Sequence, residues 1–264
     1  MKKELPDLQI HEYGDDSAPP VLFIGGWGVS TESYKERLEN LAQAFKVYSI
    51  SLPGFGDNEP LSVFSNHIIG QSEYIRFKVE KIVGNYDSIF LMGHSTGAAI
   101  ATFLATYFPE KVKRLVLVSP IGSPDPLSKS FIRMLKVINI KEVLKYNTAQ
   151  YRKRAIANIR LGVDAKYIDL SPHIYRTIAS GVPVDIFISR EDKIAPPGKL
   201  ADIDTASVYW IDGGHAWFKH DRTVILEHLR RNIPHTEEEV SKPVRSNWLK
   251  FIDSVLTGFR KFVS

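Results

Sequence analysis

The 264-residue sequence contains no cysteine. This absence excludes a disulfide framework, a thiolate metal site and a cysteine nucleophile, and it suits a reducing compartment. No apolar run is long enough to span a bilayer, and residues 1–7 are charged but lack the apolar core of a secretion signal. We therefore expect a soluble, cytoplasmic protein without a transmembrane segment.

Signals for cofactors and nucleic acid are missing as well. The eight histidines do not combine with carboxylates in a spacing typical of metal ligands, and no glycine-rich loop precedes a Lys-Ser or Lys-Thr pair. Neither a recognition motif nor a row of aromatic side chains accompanies the net charge of +4. The sequence therefore predicts no cofactor, no metal ion and no nucleic-acid partner.

Apolar runs alternate with helical patterns along most of the chain. With 44% hydrophobic residues, the chain can bury the core of one large domain. The runs are almost continuously apolar, which is typical of parallel strands buried on both faces. Strands are predicted at 8–13, 20–24, 45–50, 88–94, 114–119, 184–189 and 207–211, and helices at 31–44, 71–83, 197–202 and 221–231, with another that ends at 108.

One long segment interrupts this alternation with helical spacing and has prolines near both ends. We predict a helical cap at 123–181, inserted into an α/β core formed by 1–122 and 182–235. Between Leu127 and Arg160 the chain carries nine basic residues and one acid. Such a cap would attract an anionic small-molecule substrate, an acidic carrier protein or an anionic membrane surface, unless the charge is only a solvated helix face.

The segment after Pro234 has a pattern of its own. An acidic run at 237–239 precedes apolar residues at helical spacing, namely Trp248, Phe251, Ile252, Val255, Leu256, Phe259 and Phe262. We predict an amphipathic helical extension at 236–264. Its apolar face would dock on its own domain or on a second subunit, or make peripheral membrane contact through 244–263, and the oligomeric state stays open.

The strand at 88–94 ends in Gly93-His94-Ser95-Thr96-Gly97, and a helical run of small residues follows at once. A Gly-x-Ser-x-Gly pattern between strand and helix predicts a nucleophile elbow, a tight turn that exposes the serine hydroxyl. Such a turn would force Ser95 toward strained backbone angles, and Gly93 and Gly97 would avoid collisions with neighbouring elements. The alternative is a helix start that Ser95 merely caps.

With these features residues 8–232 resemble the α/β-hydrolase superfamily. The resemblance implies a mostly parallel central sheet with helices on both faces and an inserted cap. It also places Asp192, after the strand at 184–189, at the catalytic carboxylate position, and His215, after the strand at 207–211, at the catalytic histidine position. The order Ser95, Asp192, His215 is the order expected of this fold.

The chemistry explains these residue types, because a serine hydroxyl is a weak nucleophile until an imidazole takes its proton. A buried carboxylate must then hold the imidazole in the right tautomer. Alternatives remain within the chain: Glu191 and Asp125 for the carboxylate, and His220 for the histidine. The other histidines, including His94, are expected to be ordinary surface or core residues.

The same resemblance implies an oxyanion hole made of backbone N–H groups at Trp27 and Thr96. Trp27 lies in Gly25-Gly26-Trp27-Gly28, where Gly25 stands at a position that the family usually fills with histidine. Main-chain donors are fixed dipoles, so side-chain identity matters little for this task. A plain glycine-rich turn, with Trp27 packed in the core, is the alternative.

Two segments give a finer resemblance. Gly26-Trp27-Gly28 and the run at 52–56 are similar to carboxylesterases related to the pimeloyl-acyl-carrier-protein methyl ester esterase. The resemblance implies a serine hydrolase that cleaves carboxylic esters through an acyl-enzyme intermediate. A C–C or amide bond hydrolase with the same triad, and a non-catalytic ligand-binding protein of this fold, are the alternatives.

Overall fold

The central sheet of the described chain contains seven strands: β1 (Ile10–Tyr13), β2 (Pro20–Ile24), β3 (Lys46–Ile50), β4 (Ile89–His94), β5 (Val112–Val118), β6 (Val184–Ile188) and β7 (Ser207–Trp210). The structure, a computed structural model, describes residues 6–62, 64–123, 149–216 and 223–233. The strand order is β1-β3-β2-β4-β5-β6-β7. β1 pairs antiparallel with β3, and the other pairs are parallel. The predicted, mostly parallel sheet is confirmed.

The helices of the described chain are α1 (Lys35–Leu41), α2 (Ile68–Gly84), α3 (Thr96–Tyr107), α4 (Ala149–Tyr167), α5 (Ser171–Ala179) and α6 (Val224–Arg231). Short 3-10 helices lie at Thr31–Tyr34, Pro109–Lys111 and Gly198–Asp202. Within the described ranges, no helix is both long and apolar enough to cross a membrane.

The middle strands are buried because both faces of the sheet are covered. Every residue of β4 and β6 is buried, as the continuous apolar runs predict. The polar exception in β6 is Asp185, which is fully buried. Its two carboxylate oxygens accept hydrogen bonds from Arg114 on β5, at 3.0 and 2.9 Å, so the buried charge is compensated.

Several predicted boundaries differ from the observed ones, such as the start of α2 at Ile68 and of β5 at Val112, and three of the differences have a local reason. β1 begins at Ile10 rather than at residue 8, since the Gln9 N–H donates to the Asn58 side chain at 2.7 Å. Phe45 does not begin β3, because its N–H bonds back to Leu41 at the end of α1. The segment at 197–202 forms only a five-residue 3-10 helix, because Gly198 has a φ of +46°, which an α-helix does not continue through.

The helix predicted at 31–44 is also divided. Thr31–Tyr34 is a 3-10 turn, and the α-helix starts only at Lys35. The Ser51 hydroxyl accepts the Thr31 N–H at 2.7 Å and so fixes the start of this turn. Tyr34, at the end of the turn, is fully buried. A 3-10 turn at a helix N-terminus is common, and here it directs a large side chain into the core.

Part of the predicted cap lies within the described residues. The Ile68 N–H at the start of α2 donates to Asp164 of α4 at 2.7 Å. α5 packs on α3, where the rings of His173 and Phe103 are 4.4 Å apart. The boundaries of the cap at 123–181 remain a prediction, and residues 124–148, which include Asp125 and much of the basic segment, lie outside the described residues.

The chain divides into two units, residues 1–227 and 228–264. The first contains the sheet and the site described below. Of the second, residues 228–233 are described, and there the Asn232 side chain donates to the carbonyl oxygen of His228 at 2.8 Å. His220 and the predicted extension at 236–264 lie outside the described residues.

Candidate active site

Ser95 occupies a sharp turn between β4 and α3. Its backbone angles, φ 55° and ψ −118°, are unusual for a residue that carries a side chain. Two backbone hydrogen bonds hold the turn: the Ser95 N–H donates to Val118 of β5, and its carbonyl oxygen accepts from Ala98, both at 3.0 Å. The strained elbow predicted from the Gly-x-Ser-x-Gly pattern is therefore present.

The two glycines of the elbow lie where no side chain fits. A Cβ atom at Gly93 would collide with the backbone of Gly97 and Ala98 at the start of α3. A Cβ atom at Gly97 would collide with the carbonyl oxygens of Ile24 and Gly25 at the end of β2. The glycines thus let α3 start directly against the sheet, which is the role predicted from their spacing.

The structure brings the three predicted triad residues together, although they come from three loops. His215 Nε2 lies 2.7 Å from Ser95 Oγ, and His215 Nδ1 lies 2.8 Å from Asp192 Oδ2. Both distances are within hydrogen-bond range. Glu191, the alternative carboxylate, is exposed, and its backbone N–H donates to the Ser189 hydroxyl.

Asp192 is held by its own loop. The carboxylate is buried, and its other oxygen, Oδ1, accepts the backbone N–H groups of Ile194 at 2.9 Å and Ala195 at 2.8 Å. These charge-assisted bonds compensate the burial of the charge. The Ser189 hydroxyl donates to the Gly213 carbonyl oxygen, which ties this loop to the loop that carries His215.

The arrangement fixes the tautomer of His215. A carboxylate accepts and does not donate, so the Nδ1 proton points at Asp192 and the lone pair of Nε2 faces the Ser95 hydroxyl. An imidazole in this state can take the hydroxyl proton while the oxygen attacks an electrophile. The geometry is therefore suited to nucleophilic catalysis.

The two predicted oxyanion donors flank the serine. Thr96 is the first residue of α3, so its N–H has no acceptor within the helix. The loop of Trp27 lies close to Ser95, because a Cβ atom at Gly26 would be 3.2 Å from Ser95 Cβ. The Trp27 indole N–H donates to the carbonyl oxygen of Asn158 in α4 at 2.8 Å.

Tyr34 and His94 are two polar residues at this site that sequence reasoning missed. The Tyr34 hydroxyl lies 2.7 Å from His94 Nδ1, and His94 Nε2 lies 2.8 Å from the carbonyl oxygen of His215. Burial lowers the pKa of His94 well below its ordinary value, and the neighbouring His215 lowers it further. The position of His94 inside the elbow was a usable signal, but nothing in the sequence singled out Tyr34.

In the described ranges, no three His, Cys, Asp or Glu side chains form a group that could hold a metal ion.

Comparison with known proteins agrees with this fold. The sequence model described as "alpha/beta hydrolase fold" matches residues 19–138. A solved alpha/beta hydrolase enzyme from a Medee basin deep-sea metagenome library superposes with a TM-score of 0.70 at 19% identity, covering 89% of this chain and 97% of that one. The chain therefore has the α/β-hydrolase fold.

Two proteins with similar sequences have different activities. Over 101 residues, 38% of this chain and 35% of the relative, the sequence is 32% identical to the pimeloyl-[acyl-carrier protein] methyl ester esterase of Wigglesworthia glossinidia brevipalpis. Over 251 residues it is 22% identical to the (E)-2-((N-methylformamido)methylene)succinate hydrolase of Acinetobacter baylyi, covering 91% of this chain and 94% of the relative. The chain thus spans about a third of the esterase's length and nearly all of the length of the Acinetobacter baylyi hydrolase.

Proposed function

We propose that this protein is a serine hydrolase that cleaves carboxylic esters through an acyl-enzyme intermediate. The observation that carries the proposal is the hydrogen-bonded series Ser95 Oγ, His215 and Asp192, with contacts of 2.7 and 2.8 Å. Ser95 is the nucleophile, His215 the general base and acid, and Asp192 the residue that orients the imidazole.

The reaction has two halves. In the first, Ser95 Oγ attacks the acyl carbon while His215 Nε2 takes the hydroxyl proton, and the resulting tetrahedral intermediate expels the alcohol, which receives that proton from His215. In the second half, His215 takes a proton from water as the water oxygen attacks the acyl-enzyme. Collapse of this intermediate returns the proton to Ser95 and releases the carboxylic acid.

In both halves the carbonyl oxygen of the substrate becomes an anion. The backbone N–H groups of Trp27 and Thr96 are proposed to stabilise it, because they sit on the loop beside the serine and at the start of α3. Removing one such donor from a serine hydrolase typically slows catalysis by about 10²–10³. The strained backbone of Ser95 supports this assignment, since it places the nucleophile and the Thr96 N–H side by side.

Esters are the proposed substrates because the relative with 32% identity is a methyl ester esterase. The relative that aligns with nearly the whole chain acts on an N-methylformamido compound, and this favours an amide as a second candidate substrate. Paired p-nitrophenyl ester and p-nitroanilide substrates with the same acyl group separate the two. We expect the enzyme to hydrolyse the ester and to leave the anilide intact; turnover of the anilide would favour the amide, because p-nitrophenyl esters react more readily than anilides with any serine nucleophile.

Covalent labelling tests the proposed nucleophile. A fluorophosphonate probe is expected to modify the wild-type protein once and to leave Ser95→Ala unmodified, as measured by intact mass. Ser95→Ala should also lower kcat for a p-nitrophenyl ester by about 10⁵–10⁶. Ser119→Ala is a matched control, because Ser119 is also buried, follows the neighbouring strand β5 and has a positive φ of 43°.

Two results would overturn the assignment. One is labelling that persists in Ser95→Ala, which would move the nucleophile elsewhere. The other is a folded wild-type protein that neither reacts with the probe nor hydrolyses the ester or the anilide, which would favour a ligand-binding protein of this fold.

A further inference from the structure

Hydrogen bonds through two buried side chains connect the loop of Trp27 with the loop of His215. The Gly26 N–H donates to the Tyr34 hydroxyl at 2.9 Å. The same hydroxyl lies 2.7 Å from His94 Nδ1, and His94 Nε2 lies 2.8 Å from the His215 carbonyl oxygen. Tyr34 and His94 are 0% and 2% exposed, so these bonds are shielded from water.

The direction of each bond follows from the chemistry of the partners. The His215 carbonyl oxygen can only accept, so the proton of the neutral imidazole of His94 is on Nε2. Nδ1 of His94 is then an acceptor, and the Tyr34 hydroxyl donates to it. The hydroxyl oxygen accepts the Gly26 N–H. Every proton in the series therefore has an acceptor.

The glycines of the loop are fitted closely to these side chains. A Cβ atom at Gly25 would lie 3.2 Å from the Tyr34 ring. A Cβ atom at Gly26 would lie 3.0 Å from His94 Nδ1 and 3.2 Å from the Tyr34 hydroxyl oxygen. Tyr34 thus fills the space that a side chain at position 25 would need, and its hydroxyl anchors the next peptide.

We propose that Tyr34 and His94 are positioning residues that hold the loop at Gly25–Gly28 and the backbone of His215 in a fixed relation to each other. The proposal rests on the proposed function, because it concerns the Trp27 N–H as oxyanion donor and His215 as base. Neither residue needs to touch substrate. Oxyanion donors and a general base act mainly in the transition state, so a loosened relation between them lowers kcat rather than raising KM.

Tyr34→Phe tests the first half of the series. It keeps the ring in the core but removes the acceptor of Gly26 and the donor to His94. We expect kcat for a p-nitrophenyl ester to fall about ten- to a hundredfold, the effect of a small displacement of catalytic groups, with KM unchanged. Titration of active sites with the fluorophosphonate counts competent molecules, so that kcat refers to folded enzyme. Tyr48→Phe is the matched control, because it removes a 2.7 Å bond to the Tyr86 hydroxyl in the same way.

Two substitutions at position 94 separate the two ends. His94→Asn retains an acceptor near the place of Nδ1 for Tyr34, whereas His94→Gln retains a donor near the place of Nε2 for the His215 carbonyl oxygen. Both are expected to lower kcat, since each breaks the series at one end. If the series acts as a unit, combining Tyr34→Phe with His94→Asn lowers kcat by less than the product of the two separate effects.

The outcomes are distinguishable. A selective loss of kcat in Tyr34→Phe with Tyr48→Phe unaffected, together with the non-multiplicative double variant, supports the positioning role. An active wild type with unchanged kcat in Tyr34→Phe, or effects that multiply, overturns the positioning role and leaves the proposed function standing. A wild type without labelling or hydrolysis overturns the proposed function, and the positioning role falls with it.

Discussion

The two carboxylate oxygens of Asp192 make different contacts, and this allows a sharp prediction for Asp192→Asn. Oδ1 accepts two backbone N–H groups, from Ile194 and Ala195, while Oδ2 faces His215 Nδ1 at 2.8 Å. The amide oxygen of the asparagine must stay on the two backbone donors, because an NH₂ group there would face two other donors. The amide nitrogen is thereby directed at His215.

The consequence is a wrong tautomer at His215, the proposed general base. An amide N–H donating to His215 Nδ1 moves the imidazole proton to Nε2, where it faces Ser95 Oγ in place of the lone pair. The same substitution in a Ser-His-Asp protease lowers kcat by about 10⁴. At about 1.36 kcal/mol per tenfold change, this is about 5.5 kcal/mol of transition-state stabilisation. We expect a loss of this size here, with KM nearly unchanged.

The assay is steady-state hydrolysis of a p-nitrophenyl ester, with thermal unfolding to verify that the variant is folded. Glu191→Gln is the matched control, since Glu191 is the adjacent carboxylate and its side chain is exposed. It should retain wild-type kcat. A folded Asp192→Asn variant with kcat near wild type, or a large loss in Glu191→Gln, would refute the argument that Asp192 fixes the tautomer.

Two predictions concern stability. Gly97→Ala should lower the free energy of unfolding by about 1–3 kcal/mol in urea titrations, because its Cβ would collide with carbonyl oxygens at the end of β2. Gly84→Ala is the control and should raise the free energy of unfolding by roughly 0.4–1 kcal/mol, because the space around Gly84 is open. Burial lowers the pKa of His94, and His215 adds to the effect. As the pH drops below about 6.5, the imidazole of His94 is therefore protonated in the unfolded chain before it is protonated in the folded protein, and the free energy of unfolding should fall.

Each of these predictions has a result that would contradict it. A Gly97→Ala variant as stable as Gly84→Ala would mean that the backbone at the elbow moves apart without strain. For His94, the pH dependence should be flatter in His94→Asn than in the wild type, because the asparagine does not titrate. Equal slopes from pH 8 down to about pH 5 would assign the acid destabilisation to other groups.

The sequence by itself determined the framework of this protein. The observed bounds of β2 are those predicted, and β4 begins one residue after its predicted start. The elbow could be predicted equally well, because Gly93, Ser95 and Gly97 lie within one run of five residues and their spacing meets a local steric requirement. A strand buried on both faces needs an apolar side chain at nearly every position, and a tight turn needs small residues at fixed spacing, so patterns of residue type suffice to predict both.

The tertiary structure decided which distant groups meet. The choice of Asp192 over Glu191 depends on a single-residue difference in loop position, which no pattern specifies, and here the backbone N–H groups of Ile194 and Ala195 favour Asp192. The series through Tyr34 and His94 joins residues 60 and 121 positions apart. Tyr34 carries no motif, and the partners of His94 could not be predicted, because a buried hydrogen bond depends on where two chain segments pack. Why position 25 holds a glycine follows only from the tertiary structure, because the Tyr34 ring occupies the space that a side chain at this position would need.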